Sequence, residues 1–129
     1  MRTIHISSSI STTARIYEPR RCRDRPIPGR GGKYRPVVVV QNDLDNRRLT
    51  NMIVAMVSGN TRYVHLPTQV LLDPADPEGK SAGVVGPSAM KATNLYTLEQ
   101  RDVVRVIGHL TNSLMSKVDD SLRAALGLI

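Results

Sequence analysis

Basic side chains are concentrated in one stretch of the chain, residues 18–33, which reads EPRRCRDRPIPGRGGK. Its prolines, glycines and charges are incompatible with a packed helix or strand, so we predict a loop. The cationic groups of this loop belong to Arg20, Arg21, Arg23, Arg25, Arg30 and Lys33. Guanidinium and ammonium groups bind phosphate, and the Gly31–Gly32 pair allows the backbone to approach a ligand closely. The loop therefore indicates phosphate binding.

The residue types that bind metals or form nucleophilic sites do not occur at useful spacings. His5, His65 and His109 stand alone, and Cys22 is the single cysteine. The histidines are expected to be surface or packing residues, and no metal or cofactor is predicted. Gly-Arg-Gly-Gly at residues 29–32 is not followed by a helical pattern, so it is not a nucleotide-binding fingerprint.

Net charge points to the same kind of partner as the basic loop. The chain carries 18 basic and 11 acidic residues, a formal charge of +7. The whole excess lies in residues 1–48, whereas residues 49–129 are neutral. Such asymmetry suits a polyanion such as nucleic acid, or an acidic protein partner. With four tyrosines and no other aromatic residue, nucleic acid would have to be bound by arginine and backbone contacts.

The elements that must position such groups are mostly strands. The 129 residues suffice for one domain, predicted over residues 15–129 and preceded by a disordered or edge-strand N-terminus, residues 1–14. No apolar run approaches the 18 residues of a membrane span, and a cytoplasmic location is expected. Valine-rich runs predict buried strands at residues 35–41 and 52–58, and a third at 63–72 that Pro67 interrupts. Residues 42–46 are predicted to form a turn.

The last third of the chain mixes strand and helix signals. Residues 88–94 and 103–110 are predicted strands, and Thr97 with Gln100 fits a capping box that would start a helical turn. Thr111 or Asn112 is expected to cap a terminal helix that ends at Gly127. Five or six short strands plus this helix favour a mainly β fold, a small barrel with a docked C-terminal helix.

Three ordered segments resemble the MazF/PemK family of toxin ribonucleases. They are RPVVVVQND from Arg35, IVAMVSGN ending at Asn60, and HLPTQVLLD ending at Asp73. IGHL before Thr111, the spacing from Thr111 to Leu122, and the final ALGL are also similar to the family. The resemblance covers about two thirds of the chain.

The resemblance implies an SH3-like barrel of the CcdB/PemK type and a homodimer. It implies metal-independent, sequence-selective cleavage of single-stranded RNA, leaving a 2′,3′-cyclic phosphate and a 5′-hydroxyl. A cognate antitoxin with an extended acidic tail would neutralise the enzyme. Arg35 matches the catalytic arginine of the family, and Ser58 matches its catalytic serine or threonine. Residues expected to contact RNA are Arg30, Lys33, Tyr34, Asn42, Asn60, Arg62 and Asn94.

The chemistry agrees with these roles. A ribose 2′-hydroxyl that attacks the adjacent phosphate creates a phosphorane, whose oxygens a permanently charged, bidentate arginine can stabilise. A serine hydroxyl can donate or relay a proton without a metal.

The chain also departs from the family pattern. Ala14-Arg15 stand where the family has Gly-Asp, Arg30 stands where it has Ser-Glu, and Tyr96 takes the place of an arginine. The missing glutamate leaves the general base unassigned.

Two other classes of function remain open. A CcdB-like toxin that poisons gyrase would share the barrel and act through its C-terminal helix. A non-catalytic nucleic-acid-binding module would bind phosphates without forming products, with a steep dependence on salt.

Overall fold

The computed structural model describes residues 12–17 and 34–128. Six antiparallel strands form one sheet in the order β4-β5-β3-β2-β1-β6. The strands are β1 Thr12–Tyr17, β2 Tyr34–Val39, β3 Asn51–Ser58, β4 Gln69–Leu72, β5 Ser88–Glu99 and β6 Val103–His109. Two helices, α1 Asp43–Arg48 and α2 Asn112–Leu126, and two 3₁₀ turns, Lys80–Ala82 and Gln100–Asp102, complete the fold. The expected mainly β fold with a C-terminal helix is confirmed.

The sheet has two faces, because side chains alternate along each strand. The face that α2 covers, which we call the helix face, contains Val38 of β2, Val57 of β3 and Met90 of β5, packed with α2 residues such as Leu114. The other face, called the second face, contains Val37 and Val39 of β2, Met52 and Val54 of β3, and Leu98 of β5. β2 contributes to both clusters, which confirms a strand buried on both sides.

Helix α2 begins and ends where the sequence indicates. The Thr111 hydroxyl oxygen accepts a hydrogen bond from the Leu114 N–H at 3.1 Å, and Gly127 ends the helix in a left-handed conformation at φ 69°. Its inward stripe of Leu114, Val118 and Leu122 is buried on the helix face. The helix therefore stabilises the strands from the side opposite the second face.

The turn Lys80–Ala82 packs closely against β6. The Ser81 hydroxyl donates to the carbonyl of His109 at 3.0 Å. A Cβ on Gly108 would overlap the backbone of Ser81 and Ala82, and one on Gly83 would overlap the carbonyl of Ile107. Glycines thus permit the contact between β6, at one end of the sheet, and the segment that connects β4 to β5.

Residues 42–46 form the start of a helix instead of the predicted turn. The Asn42 side-chain oxygen caps α1 by accepting the Asp45 N–H at 2.9 Å, and its amide nitrogen donates to the Asp45 carboxylate at 2.8 Å. The turn-forming chemistry of Asn and Asp is also the chemistry that starts helices, and here the chain continues into one.

Two other predicted elements were wrong. The strand predicted over residues 63–72 is confined to Gln69–Leu72, because the N–H groups of Val64 and Leu66 bond to carbonyls three residues earlier in tight turns. The helical turn predicted from Thr97 starts only at Gln100, as the 3₁₀ turn Gln100–Asp102, because Thr97 is still part of β5 and pairs with Ile53 of β3. The Gln100 side chain instead donates to the carbonyls of Asn46 and Leu49.

The N-terminal segment is described only from Thr12 onwards. Residues 12–14, which we assigned to the segment before the domain, lie in β1, where the strand pairs with both β2 and β6. Among the described residues, none of the helices has the length and hydropathy required to cross a bilayer.

Candidate active site

The register between β2 and β3 brings Arg35 and Ser58 level with each other. Val37 pairs with Met56, and Val38 pairs with Ala55. Continuing this register by two residues places Arg35 opposite Ser58, at a Cα separation of about 5 Å. The observed pairing ends at Val37 and Met56, so the neighbouring positions of Arg35 and Ser58 are an extension of this register.

Both side chains also lie on the same face of the sheet. Arg35 follows the alternation of Val37 and Val39, and Ser58 follows that of Val54 and Met56, which belong to or pack against the cluster on the second face. Arg35 and Ser58 are each partly buried, at the ends of their strands. They therefore stand at the margin of the apolar cluster on the second face.

A series of short-range hydrogen bonds organises the chain directly after Ser58. The Ser58 hydroxyl oxygen accepts the Asn60 N–H at 3.1 Å, and the Asn60 side-chain oxygen accepts the Arg62 N–H at 3.0 Å. The Arg62 guanidinium lies 5.8 Å from the centre of the exposed Tyr63 ring, which in turn is 6.4 Å from the ring of His65. Asn60 and Arg62 are thus connected to Ser58 through local hydrogen bonds.

Strand β5 lies on the far side of β3 and carries a bulge near the site. Ser58 pairs with Ala89 and Met56 with Lys91, whereas the next residue of β3, Ala55, pairs with Leu95. Residues 92–94 are therefore extra residues of β5, and Asn94 is exposed on this bulge. Asn94 lies near the level of Met56, which is two residues before Ser58 in β3.

Lys91 is a cation on the same face of the sheet that sequence reasoning did not single out. It lies directly opposite Met56, on the second face, in the row next to Arg35 and Ser58. In the sequence it was one basic residue of a neutral segment, and only the strand pairing shows that its side chain shares a face with Arg35.

Asn42 does not join this group. It follows the far end of β2, separated from Arg35 by about 20 Å of extended chain. Both the oxygen and the nitrogen of its side-chain amide form hydrogen bonds with Asp45 that cap α1. Its role in this structure is to start a helix.

The remaining predicted contacts are described in part or not at all. Tyr34 is the first residue of β2, beside Arg35. Arg30 and Lys33 lie outside the described residues, as does the rest of the basic loop. His65 and His109 are both exposed. Within residues 12–17 and 34–128, no three His, Cys, Asp or Glu side chains are grouped as metal ligands.

A cleft lies on the α2 side of β4. It has a volume of about 450 Å³, and its lining includes Val70, Asp76, Glu78, Leu114 and Lys117. A hydrogen bond from Ser113, supported by Lys117 at 3.4 Å, holds the pKa of the Glu78 carboxyl below its usual value of 4.5. Glu78 therefore stays ionised at neutral pH, and its charge is used in joining the β4–β5 connection to α2.

An arginine and a serine at the ends of adjacent antiparallel strands, with further cationic side chains nearby, are residue types suited to an anionic ester. Comparison with known proteins agrees with this class. Residues 22–126 match the family described as "PemK-like, MazF-like toxin of type II toxin-antitoxin system". The chain belongs to this family of endoribonuclease toxins, which confirms the resemblance on the sequence segments around Arg35 and Ser58.

Relatives and solved structures support the assignment. The curated Endoribonuclease EndoA of Bacillus subtilis (strain 168) is 34% identical over 98 residues, which cover 76% of this chain and 80% of that protein. The Mycobacterium tuberculosis toxin MazF-mt6 has a similar structure, with a TM-score of 0.70, 23% identity, and coverage of 92% of this chain and 98% of that one. A mycobacterial endoribonuclease solved in complex with its cognate antitoxin gives a TM-score of 0.66 at 24% identity, covering 92% and 93% of the two chains. At these identities the structures establish a shared fold.

Proposed function

We propose that this toxin cleaves single-stranded RNA without a metal ion, using Arg35 and Ser58 as its catalytic pair. The observation that supports the proposal is the β2–β3 register: if the pairing of Val37 with Met56 continues for two more residues, Arg35 and Ser58 face each other about one strand spacing apart. A phosphate held between them would contact both groups. The similarity to a protein named as an endoribonuclease supports RNA as the substrate.

The reaction forms one bond, breaks another and transfers protons. The 2′-oxygen of the ribose forms a bond to phosphorus while its proton passes to water. The bond from phosphorus to the 5′-oxygen breaks, and this oxygen gains a proton from the Ser58 hydroxyl, which water then reprotonates. Negative charge accumulates on the phosphorane oxygens between formation of the first bond and cleavage of the second. The products are a 2′,3′-cyclic phosphate and a 5′-hydroxyl.

Arg35 suits the phosphorane because its charge is permanent and its donors form a planar fork. Ser58 suits the leaving group. Its oxygen already accepts the Asn60 N–H, which orients the hydroxyl and keeps its own hydrogen for donation to the 5′-oxygen. The adjoining Asn60, Arg62 and Asn94 would contact nucleotides on either side of the scissile phosphate. Arg30, Lys33 and Tyr34 would do so from the segment that leads into β2.

The family assignment also bears on assembly. We propose that the sheet corresponds to an SH3-like barrel, that the chain forms a homodimer, and that it acts in the cytoplasm. Its partner would be a cognate antitoxin, as in the mycobacterial complex whose fold it shares. An extended acidic tail would compete with RNA for Arg35 and for the basic loop, where the chain concentrates its positive charge.

A double-mutant cycle tests the catalytic pair. Arg35→Ala and Ser58→Ala should each lower kcat on a cleavable RNA oligonucleotide at least about a hundredfold, the scale of one lost transition-state donor. Because both groups act on one transition state, the double variant should lose much less than the product of the single losses.

Ser58→Thr serves as the matched control, since it keeps the hydroxyl and should retain most activity. Circular dichroism should show folded variants throughout. A folded Arg35→Ala or Ser58→Ala variant with wild-type kcat would remove that residue from the mechanism.

A further inference from the structure

We propose that Lys91 binds the RNA phosphate next to the one that is cleaved, and so sets RNA affinity without taking part in bond breaking. This inference rests on the proposed function, since it assigns a second phosphate to the same site. Lys91 belongs to none of the segments that carry the family resemblance.

The position of Lys91 follows from two strand registers. Val37 pairs with Met56 across β2 and β3, and Met56 pairs with Lys91 across β3 and β5. These three residues form one row on the second face. Arg35 and Ser58 belong to the next row, two residues or about 7 Å along the strands, which puts the Cα of Lys91 about 8 Å from that of Ser58 and about 12 Å from that of Arg35. The four-carbon stem of lysine can carry its ammonium group across part of this distance.

The strand is well fixed at this point. Lys91 is the last residue before the bulge to pair with β3, and it also pairs with Gln69 of β4. The following N–H, of Ala92, donates to the carbonyl of Thr68 at 2.9 Å. Pairing with β3 on one side and β4 on the other therefore fixes the backbone position from which the Lys91 side chain extends.

Packing does not explain a lysine here. Its neighbours in the row towards β2 are the apolar Met56 and Val37, which pack in the cluster of the second face. Within residues 12–17 and 34–128, no hydrogen bond or ion pair engages the ammonium group of Lys91. A partly buried cation beside apolar side chains costs desolvation free energy unless it meets an anion. A phosphate of the bound strand supplies that anion.

Such a contact would act on the ground state and the transition state alike. It would strengthen RNA binding and lower KM, because the neighbouring phosphate does not change its charge during the reaction. Arg35, by contrast, faces the phosphate whose charge increases. The two cations therefore predict different kinetic signatures.

The test uses Lys91→Gln in the full chain, with a fluorescent 2′-O-methyl RNA oligonucleotide as an uncleavable probe. Because one phosphate contact is lost, Kd should rise about threefold to tenfold, and the slope of log affinity against log salt should fall by about 0.7. On cleavable RNA, KM should rise while kcat stays within about twofold of wild type, the expectation for uniform binding. Lys91→Arg should restore both Kd and the slope.

Lys117→Gln is the matched control. It removes the same charge from α2, on the opposite side of the sheet, and should leave Kd and the salt slope unchanged. An unchanged slope in Lys91→Gln, or a loss confined to kcat, would overturn the assignment of Lys91.

The outcome is separable from that of the proposed function. If the wild-type chain binds the probe but cleaves no RNA, catalysis by Arg35 and Ser58 fails, whereas the salt slope still decides whether Lys91 contacts a phosphate. If the wild-type chain does not bind the probe, both proposals fail.

Discussion

Arg35 and Ser58 become a pair only through the arrangement of neighbouring strands. Their residue types and flanking sequence made them candidates through the family resemblance, but the sequence does not show that they meet. The register of β2 with β3, in which Val37 pairs with Met56, brings the ends of the two strands that carry Arg35 and Ser58 side by side. Lys91, by contrast, was not a candidate from the sequence. Only the pairing of β5 with β3 distinguishes it from the other lysines.

Asn42 illustrates how a residue can match a family segment and serve the fold instead. Asn42→Ala should lower the free energy of unfolding by about 1 kcal/mol, the usual cost of losing a helix cap, because the Asp45 N–H loses its acceptor. RNA cleavage should be unchanged. Urea denaturation and cleavage assays of the same preparation measure both quantities.

Asn42→Asp provides the control, since an aspartate also caps helices and should keep most of the stability. A stable Asn42→Ala variant with impaired cleavage would place Asn42 in the RNA site after all.

At the scale of elements, apolar patterning predicted β2, β3, β6 and α2 well. In β2, β3 and α2 the apolar side chains are buried by nearby partners, so local sequence and tertiary packing agree, whereas Val106 of β6 is exposed. The failures occurred at residues 63–68 and 97–100, where tight-turn hydrogen bonds and cross-strand pairing decide the structure. The bulge of β5 was also not predictable, because it depends on how two distant strands align.

The close contact between β6 and the turn Lys80–Ala82 gives a prediction at the same scale. Gly108→Ala should lower the free energy of unfolding by at least about 2 kcal/mol, because its methyl group would overlap the backbone of Ser81 and Ala82. Gly86→Ala is the matched control. A Cβ at Gly86 meets no atom within 4 Å, so its effect should stay within about 0.5 kcal/mol.

Urea denaturation of the two glycine variants makes the comparison. Equal stability of the Gly108 and Gly86 variants would contradict the close approach of β6 to the turn.

For the whole molecule, charge and fold indicate the same partner. The net positive charge is confined to the first 48 residues, and Arg35 and Lys91 lie at positions that alternate onto the second face of the sheet. A single-stranded polyanion can contact both regions. An acidic antitoxin tail would compete for them, so inhibition and substrate binding should exclude each other.

The central claim is that this arrangement cleaves RNA through the substrate's own 2′-hydroxyl. The most direct measurement incubates the purified wild-type chain with a long single-stranded RNA in excess EDTA, followed by analysis of both ends at each cut. We predict cleavage at short defined sequences, leaving 2′,3′-cyclic phosphate and 5′-hydroxyl ends. Intact RNA, or cleavage that appears only after a divalent metal is restored, would contradict the account.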